Sequence, residues 1–302
     1  MRCELSGIIV LDKPAKITSA KVVAHVKKIL GAGKVGHTGT LDPFATGVLI
    51  CCINKATKLA RFFLSGKKKY EAVLHLGVET DTQDSTGTVI STSDETQFSE
   101  ETIRSVFKQF EGTVEQLPPV YSALKHKGVP LYKLARKGKP LQKPARRIYV
   151  SYIKILEIKL PMIRFEVSCS AGTYIRTICS DIGKALTCGG HLKELRRTKS
   201  SWFAIKNAIS LSELEKLVLS GKLSEGMINM ANALQDMPEY IADNTLTKTI
   251  IHGKRISKKD LLSGQSESPK NFFKIVDTHN NLLAVLNYNK ERNNYNYCCV
   301  FL

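Results

Sequence analysis

Gly36-His37-Thr38-Gly39-Thr40-Leu41-Asp42-Pro43-Phe44-Ala45-Thr46-Gly47-Val48-Leu49 is the stretch on which the reading of this 302-residue chain turns. By residue type alone it is a glycine-rich segment with an Asp before a Pro, and Asp-Pro is commonly no more than a turn former. Five glycines fall between Gly31 and Gly47. So much backbone freedom predicts a loop that can approach a ligand closely. Just upstream, Gly31-Ala32-Gly33-Lys34-Val35-Gly36 matches the pattern GxGxxG, but it follows a predicted helix and not a strand, so the dinucleotide mechanism has no strand–turn–helix context. Nor is it a Walker A loop, because Val35 stands where a Ser or Thr must hold magnesium.

Outward from that stretch the chain alternates short elements. Gly7–Leu11 is an apolar run closed by Asp12-Lys13-Pro14, a strand ending in a turn. Thr18 and Ser19 are candidate N-caps for a helix carrying Val22, Val23, Val26, Ile29 and Leu30 on one side. Tyr70–Val78 reads as a half-buried strand, and Ser99 caps a helix with Ile103, Val106, Phe107 and Phe110 on one face. Tyr149–Ile158 and Arg164–Cys169 read as strands. A helix from about Tyr174 to Leu186 follows the turn Ala171-Gly172-Thr173. Strands and helices mix without a regular βαβ rhythm, which predicts an α+β fold on a mixed, largely antiparallel sheet. Near Met237-Pro238 the composition shifts towards Lys and Asn. A main domain over 1–237 and a small β-rich module over 238–302 are therefore expected, with a low-complexity tail as the alternative for the Asn287–Asn296 tract.

The net charge of +18 biases the partner towards a polyanion, most simply nucleic acid. Lys125 to Arg147 holds nine Lys or Arg and no acid. Such a run is often a solvated face, but interleaved with Leu131, Tyr132 and Leu134 it suits a flexible arm gripping a phosphate backbone. No apolar run approaches the ~20 residues that span a bilayer, and Met1–Val10 lacks the apolar core of a secretory signal. A cytoplasmic protein away from membranes is expected. The eight cysteines form no C-x-x-C pair and read as reduced, structural thiols. Neither a metal nor a cofactor is implied.

The run from Gly36 to Leu49 resembles the motif of the TruB family of tRNA pseudouridine synthases. Three further blocks resemble the family in order and spacing. They are Gly7–Pro14 (GIIVLDKP), Lys69-Tyr70-Glu71-Ala72 with the acidic turn Glu79–Asp84 after it, and Ser170–Thr177 (SAGTYIRT). Leu192–Thr198 (LKELRRT) resembles the fourth active-site motif. The likeness spans about Gly7 to Phe203; beyond Met237 the chain resembles the family's PUA-type RNA-binding module more faintly.

The resemblance implies isomerisation of uridine 55 in the tRNA T-loop. That reaction breaks the N1 glycosidic bond, turns the base and joins C5 to C1′. Asp42 would be the nucleophile, at C1′ or at C6, and an ionised carboxylate serves either route. Arg176 would hold it. Tyr70 would stack on the extruded base, Tyr174 would point its hydroxyl towards C5, and Leu195 would close the pocket. Lys13 and Pro14, with Gly39 and Thr40, would shape the loop. His37 would fill the gap left by the flipped base, since stacking can offset part of the extrusion cost. Taken singly, each of these residues has a blander reading as a core, turn or surface residue. The guide-RNA-dependent relatives, which work with protein partners, are a rival. So is a tRNA-folding chaperone. Tyr121-Ser122-Ala123-Leu124-Lys125 ahead of the basic run resembles the stand-alone bacterial enzymes. A monomer needing no protein partner is therefore expected.

Overall fold

Two apolar runs near the N-terminus, GIIVL and VLICCI, find each other as neighbouring strands. The computed structural model describes residues 4–256, 261, 272–289, 291 and 294–301. Its first strands are β1 (Gly7–Lys13), β2 (Val35–Thr38), β3 (Thr46–Ile53), β4 (Lys68–Leu76), β5 (Val78–Thr80) and β6 (Val89–Thr92). Next come β7 (Gly112–Gln116), β8 (Lys125–His126), β9 (Val129–Pro130), β10 (Arg146–Lys159), β11 (Met162–Cys169), β12 (Gly190–Ser200) and β13 (Phe203–Ala204). The last are β14 (Glu239–Ile241), β15 (Phe272–Val276), β16 (Leu282–Asn289) and β17 (Asn294–Val300). One large sheet runs β1-β3-β12-β4-β11-β10-β7, with β2 added to β3 and β13 to β12. Its pairs are antiparallel apart from β3–β12, so the α+β, largely antiparallel expectation holds.

Strand alternation explains why β1 and β3 are apolar throughout. Ile8, Val10, Val48, Ile50 and Cys52 point into one core, while Ile9, Leu11, Leu49, Cys51 and Ile53 point into another on the opposite face. A strand buried on both sides cannot show a polar face. The helix Ser19–Leu30 covers the second core with Val22, Val26 and Leu30. Thr18 caps it, accepting from Lys21 N, and Gly31 closes it in the left-handed region. A third core lies under β4, β11 and β12 and is sealed by the helices Glu100–Lys108 and Ile175–Ala185.

Three expectations need correction. The glycine-rich run is not loop throughout: β2 lies inside it, paired from Val35 to Thr38 with Ile53 to Ile50 of β3. Pairing to a fully buried strand overrides the local freedom of Gly36. The second candidate cap, Ser19, is instead buried one residue inside the helix. The basic run is built as well as charged. β8 and β9 form a small hairpin, the short helix Leu131–Ala135 buries Leu131 and Ala135, and Arg146 and Arg147 already belong to β10.

Past Met237, β14 to β17 form a separate four-stranded sheet. Within the Asn-rich tract, Asn287–Asn289 and Asn294–Asn296 are strand, with Asn287 paired to Asn296, Tyr288 to Tyr295 and Asn289 to Asn294. Val276, Leu282, Val285 and Phe301 of this region lie in one apolar cluster with Val48, Phe63 and Phe203. The seven described cysteines are free thiols.

Candidate active site

Asp42 sits in the turn before β3, and that turn is fixed from three directions. Ala45 N donates to Asp42 O at 3.1 Å. Ser19 Oγ bonds both Leu41 N (2.9 Å) and Leu41 O (3.0 Å), tying the turn to the first helix. Lys13 Nζ, fully buried, donates to the carbonyls of Pro14, Pro43 and Ala45 at 2.8, 3.2 and 2.7 Å. Gly47 follows at φ +102°, where a Cβ would meet Arg197 O at 2.2 Å. Only glycine lets β3 lie this close to β12.

The carboxylate meets one guanidinium. Arg176 Nε lies 2.9 Å from Asp42 Oδ2, and Arg176 is itself 3% exposed. Arg176 donates through Nη1 to Thr82 O and through Nη2 to Tyr121 O, both at 2.9 Å, and Nη1 stands 3.6 Å from Asp84 Oδ2. Asp84, also buried, accepts from Thr86 N and from the hydroxyls of Thr82 and Thr86. Arg176 is thus locked by four partners, and a guanidinium so held presents its Nε edge in one orientation. Burial pushes the Asp42 carboxyl above its ordinary range; Arg176 opposes this, and the nearby Asp84 adds to it. Burial likewise brings Lys13 down to about 8, with Asp42 pulling it back up and Arg197 pushing it lower.

Around Asp42 opens a cavity of about 320 Å³, lined by Gly39, Thr40, Tyr70, Tyr174, Arg176 and Leu195 among others. That volume is at the small end of ligand sites. Of the residues singled out from sequence, these and Asp42 converge there. Lys13 lies beneath the turn, and Pro14 is exposed with its carbonyl turned to Lys13. His37 stands apart on β2, opposite Cys51 and half-buried, and is not part of the lining. Burial, then Arg197, lowers its imidazole below the usual 6.5, so the ring is neutral at pH 7.

Other residues complete the site without having been singled out. Gln116, 2% exposed, grips the Tyr174 backbone at both ends, donating to its carbonyl (2.9 Å) and accepting from its N–H (2.8 Å). The Arg146 guanidinium stands 5.0 Å from the Tyr174 ring and bonds Gly172 O. Arg197, 1% exposed, donates to Val48 O and Gly39 O at 2.7 and 3.0 Å and borders the cavity with Lys68. Lys68 Nζ is held by Leu64 O and Gly66 O, and burial brings it down to about 8. Ala123 and Leu124, from the segment before the basic run, close another side. No described helix is long and apolar enough to cross a membrane.

Residues 27–175 match the family model for the N-terminal domain of TruB family pseudouridylate synthases, and residues 176–240 match that for the C-terminal domain of tRNA pseudouridylate synthase B. The join falls between Tyr174 and Arg176, so both segments build one cavity. The tRNA pseudouridine synthase B of Geobacter sulfurreducens is 46% identical over 230 residues, 76% of each chain. That of Syntrophotalea carbinolica is 44% identical over 234 residues, covering 78% of this chain and 76% of its own. Among solved structures, an H/ACA RNP bound to a substrate RNA containing 2′-deoxyuridine aligns with TM-score 0.74 and 27% identity, over 98% of this chain and 85% of the other. A Cbf5–Nop10–Gar1 complex aligns with TM-score 0.72 and 30% identity, over 93% and 78%.

Proposed function

Since the chain belongs to the TruB family of pseudouridylate synthases, we propose that it converts uridine 55 of the tRNA T-loop to pseudouridine, with Asp42 as nucleophile. Relatives named tRNA pseudouridine synthase B support the coarser part, that the substrate is tRNA and the product pseudouridine. Identities of 43–46% to these relatives against 26–30% to the H/ACA proteins favour the stand-alone mode, acting as a monomer in the cytoplasm.

The observation that carries the mechanism is the ion pair between Asp42 and a fully engaged Arg176 inside a cavity of nucleobase size. A uridine flipped into it loses its stack in the RNA and gains Tyr70 and Leu195 as walls. Arg176 opposes burial and favours the ionised form of Asp42. The carboxylate adds to C1′ as the N1–C1′ bond breaks, or adds to C6 of the ring, after which that bond breaks in the adduct; either way the base is freed to turn. C5 then bonds C1′ as the carboxylate leaves C1′, or the carboxylate is afterwards expelled from C6. C5 loses its proton to solvent and N1 regains one, so the step is an isomerisation. Tyr174, its backbone clamped by Gln116, faces the site of that proton loss. Lys13 buttresses the turn that aims Asp42. His37 fills the vacancy in the RNA stack from outside the pocket.

Release of tritium from a tRNA transcript labelled at uridine C5 tests the reading. The unaltered protein should release it, and Asp42→Asn should abolish release while tRNA affinity stays within a few-fold. Turnover by that variant, with reversion to Asp excluded, sinks the nucleophile assignment.

A further inference from the structure

A second, larger cavity of about 700 Å³ opens behind the wall of the first. The shared wall is the segment Leu64–Lys68. Leu64 and Lys68 face the Asp42 cavity, whereas Ser65, Gly66 and Lys67 face the other. Hydrogen bonds stiffen this segment from both sides: Phe63 O accepts from Gly66 N and Ser201 Oγ, and Lys68 Nζ caps Leu64 O and Gly66 O.

The second cavity has four aromatic rings in its lining, Phe62, Phe63, Trp202 and Phe272. They come from three parts of the chain: the helix Ala60–Leu64, the turn before β13, and β15 of the C-terminal sheet. Trp202 rests one face on Phe203, with centroids 3.9 Å apart, and its N–H is already given to Ala233 O at 3.0 Å. What it can offer a ligand is therefore ring surface and not a donor. Arg61 and Lys67 stand exposed at the rim, and Arg61 lies over Phe62 at 5.4 Å. The acid lining this cavity is Asp236, which leaves the rim cationic.

We infer that this cavity is a second nucleotide subsite, which holds an unstacked base of the same substrate RNA beside the one delivered to Asp42. Flat rings serve as stacking platforms for any base, and rim cations meet the phosphates on either side of it. Gln235 and Asp236 supply an acceptor and donors for a base edge. An apolar peptide would not need the two cations, and the chain's charge of +18 favours a polyanion. The wall shared with the Asp42 cavity puts both subsites on one RNA path. The inference rests on RNA being the substrate.

Trp202 is the chain's only tryptophan, so its emission reports on this cavity alone. The experiment titrates the Asp42→Asn protein with an unmodified, dye-labelled tRNA transcript, following Trp202 emission and dye anisotropy together. The two curves should coincide, with emission quenched at saturation. Arg61→Gln with Lys67→Gln, both exposed and so safe for the fold, should shift both curves to roughly 5-fold weaker binding. Emission that stays flat while anisotropy reports bound RNA overturns the subsite, as does an affinity untouched by the double variant. Failure of the underlying reading looks different: the unaltered protein then releases no tritium.

Discussion

Asp42 is held in a conflict that sets its pH response. Catalysis needs the carboxylate, yet burial raises its pKa, Arg176 lowers it and Asp84 raises it. A raised value means that the active, ionised form is lost as pH falls through a point above the ordinary 3.9 of an exposed Asp. Activity should therefore fall on the acid side earlier than for an unperturbed carboxylate. Asp84→Asn removes one of the charges that raise it, so the acid limb of kcat/KM should move to lower pH. A limb that moves up instead would mean that Asp84 acts mainly by steadying Arg176. His37 belongs to the same scale but to another step. Its ring is neutral and outside the cavity lining, so His37→Ala takes a stacking surface from the flipped complex and no group from the chemistry. About 1–3 kcal/mol of lost stacking slows formation of that complex by roughly 5- to 150-fold. The defect should shrink on a T-stem-loop whose target uridine is already unstacked, whereas Asp42→Asn stays inactive on both RNAs. Equal His37→Ala defects on the two would place His37 in the chemistry or the fold.

The basic run from Lys125 to Arg147 shows how much an element owes to contacts the sequence does not display. Its charge was legible, but its hairpin and helical turn go with the burial of Leu131 and Ala135, which the charge pattern does not display. Lys133, Arg136, Lys137 and Lys139 remain exposed, and none is paired with a carboxylate among the described residues. Four unpaired cations are free to displace counterions from phosphates. Neutralising all four should lower the slope of log affinity against log salt by about 3. An unchanged slope would leave the run a solvated face. The strands and helices with clean periodicity were legible in the same way: Thr18, Ser99 and the apolar faces behind them lie where their spacing puts them. Asp42, Tyr70, Tyr174, Arg176 and Leu195 could be named because they sit in long local motifs. The roles of Ser19, Gln116 and Arg197 could not be read, even with Arg197 inside LKELRRT, since each acts through a partner 22 to 158 residues away. β2 escaped for a related reason, as pairing to β3 decided its conformation against its glycine.

At the scale of the whole molecule, composition marked a boundary near Met237, and a sheet of separate pairing does begin at Glu239. Packing, however, ignores that boundary. Val276, Leu282, Val285 and Phe301, all at least nine-tenths buried, share a cluster with Ile8, Val48, Phe63 and Phe203 of the main body. Lys274 Nζ crosses it too, donating to Ala231 O at 2.9 Å and pairing with Glu239 at 3.0 Å. We therefore propose that 238–302 is a topological module but not an independent folding unit. Fully burying a side chain of this kind stabilises by about 1.5–3 kcal/mol. Losing four of them, even partly, amounts to several kcal/mol. At roughly 2–4 °C per kcal/mol for a body of this size, a chain ending at Met237 should melt about 10 °C or more below the full chain. It should also expose the apolar surface around Phe63 and Phe203 to a hydrophobic dye. The full chain should unfold in a single calorimetric transition, because neither part is complete without the other. Two separated transitions, or a truncated chain as stable as the whole, would make the module an appendage. Phe63 leads directly into the Leu64–Lys68 wall between the two cavities, so the truncated chain should also lose tritium-release activity at temperatures where the full chain keeps it.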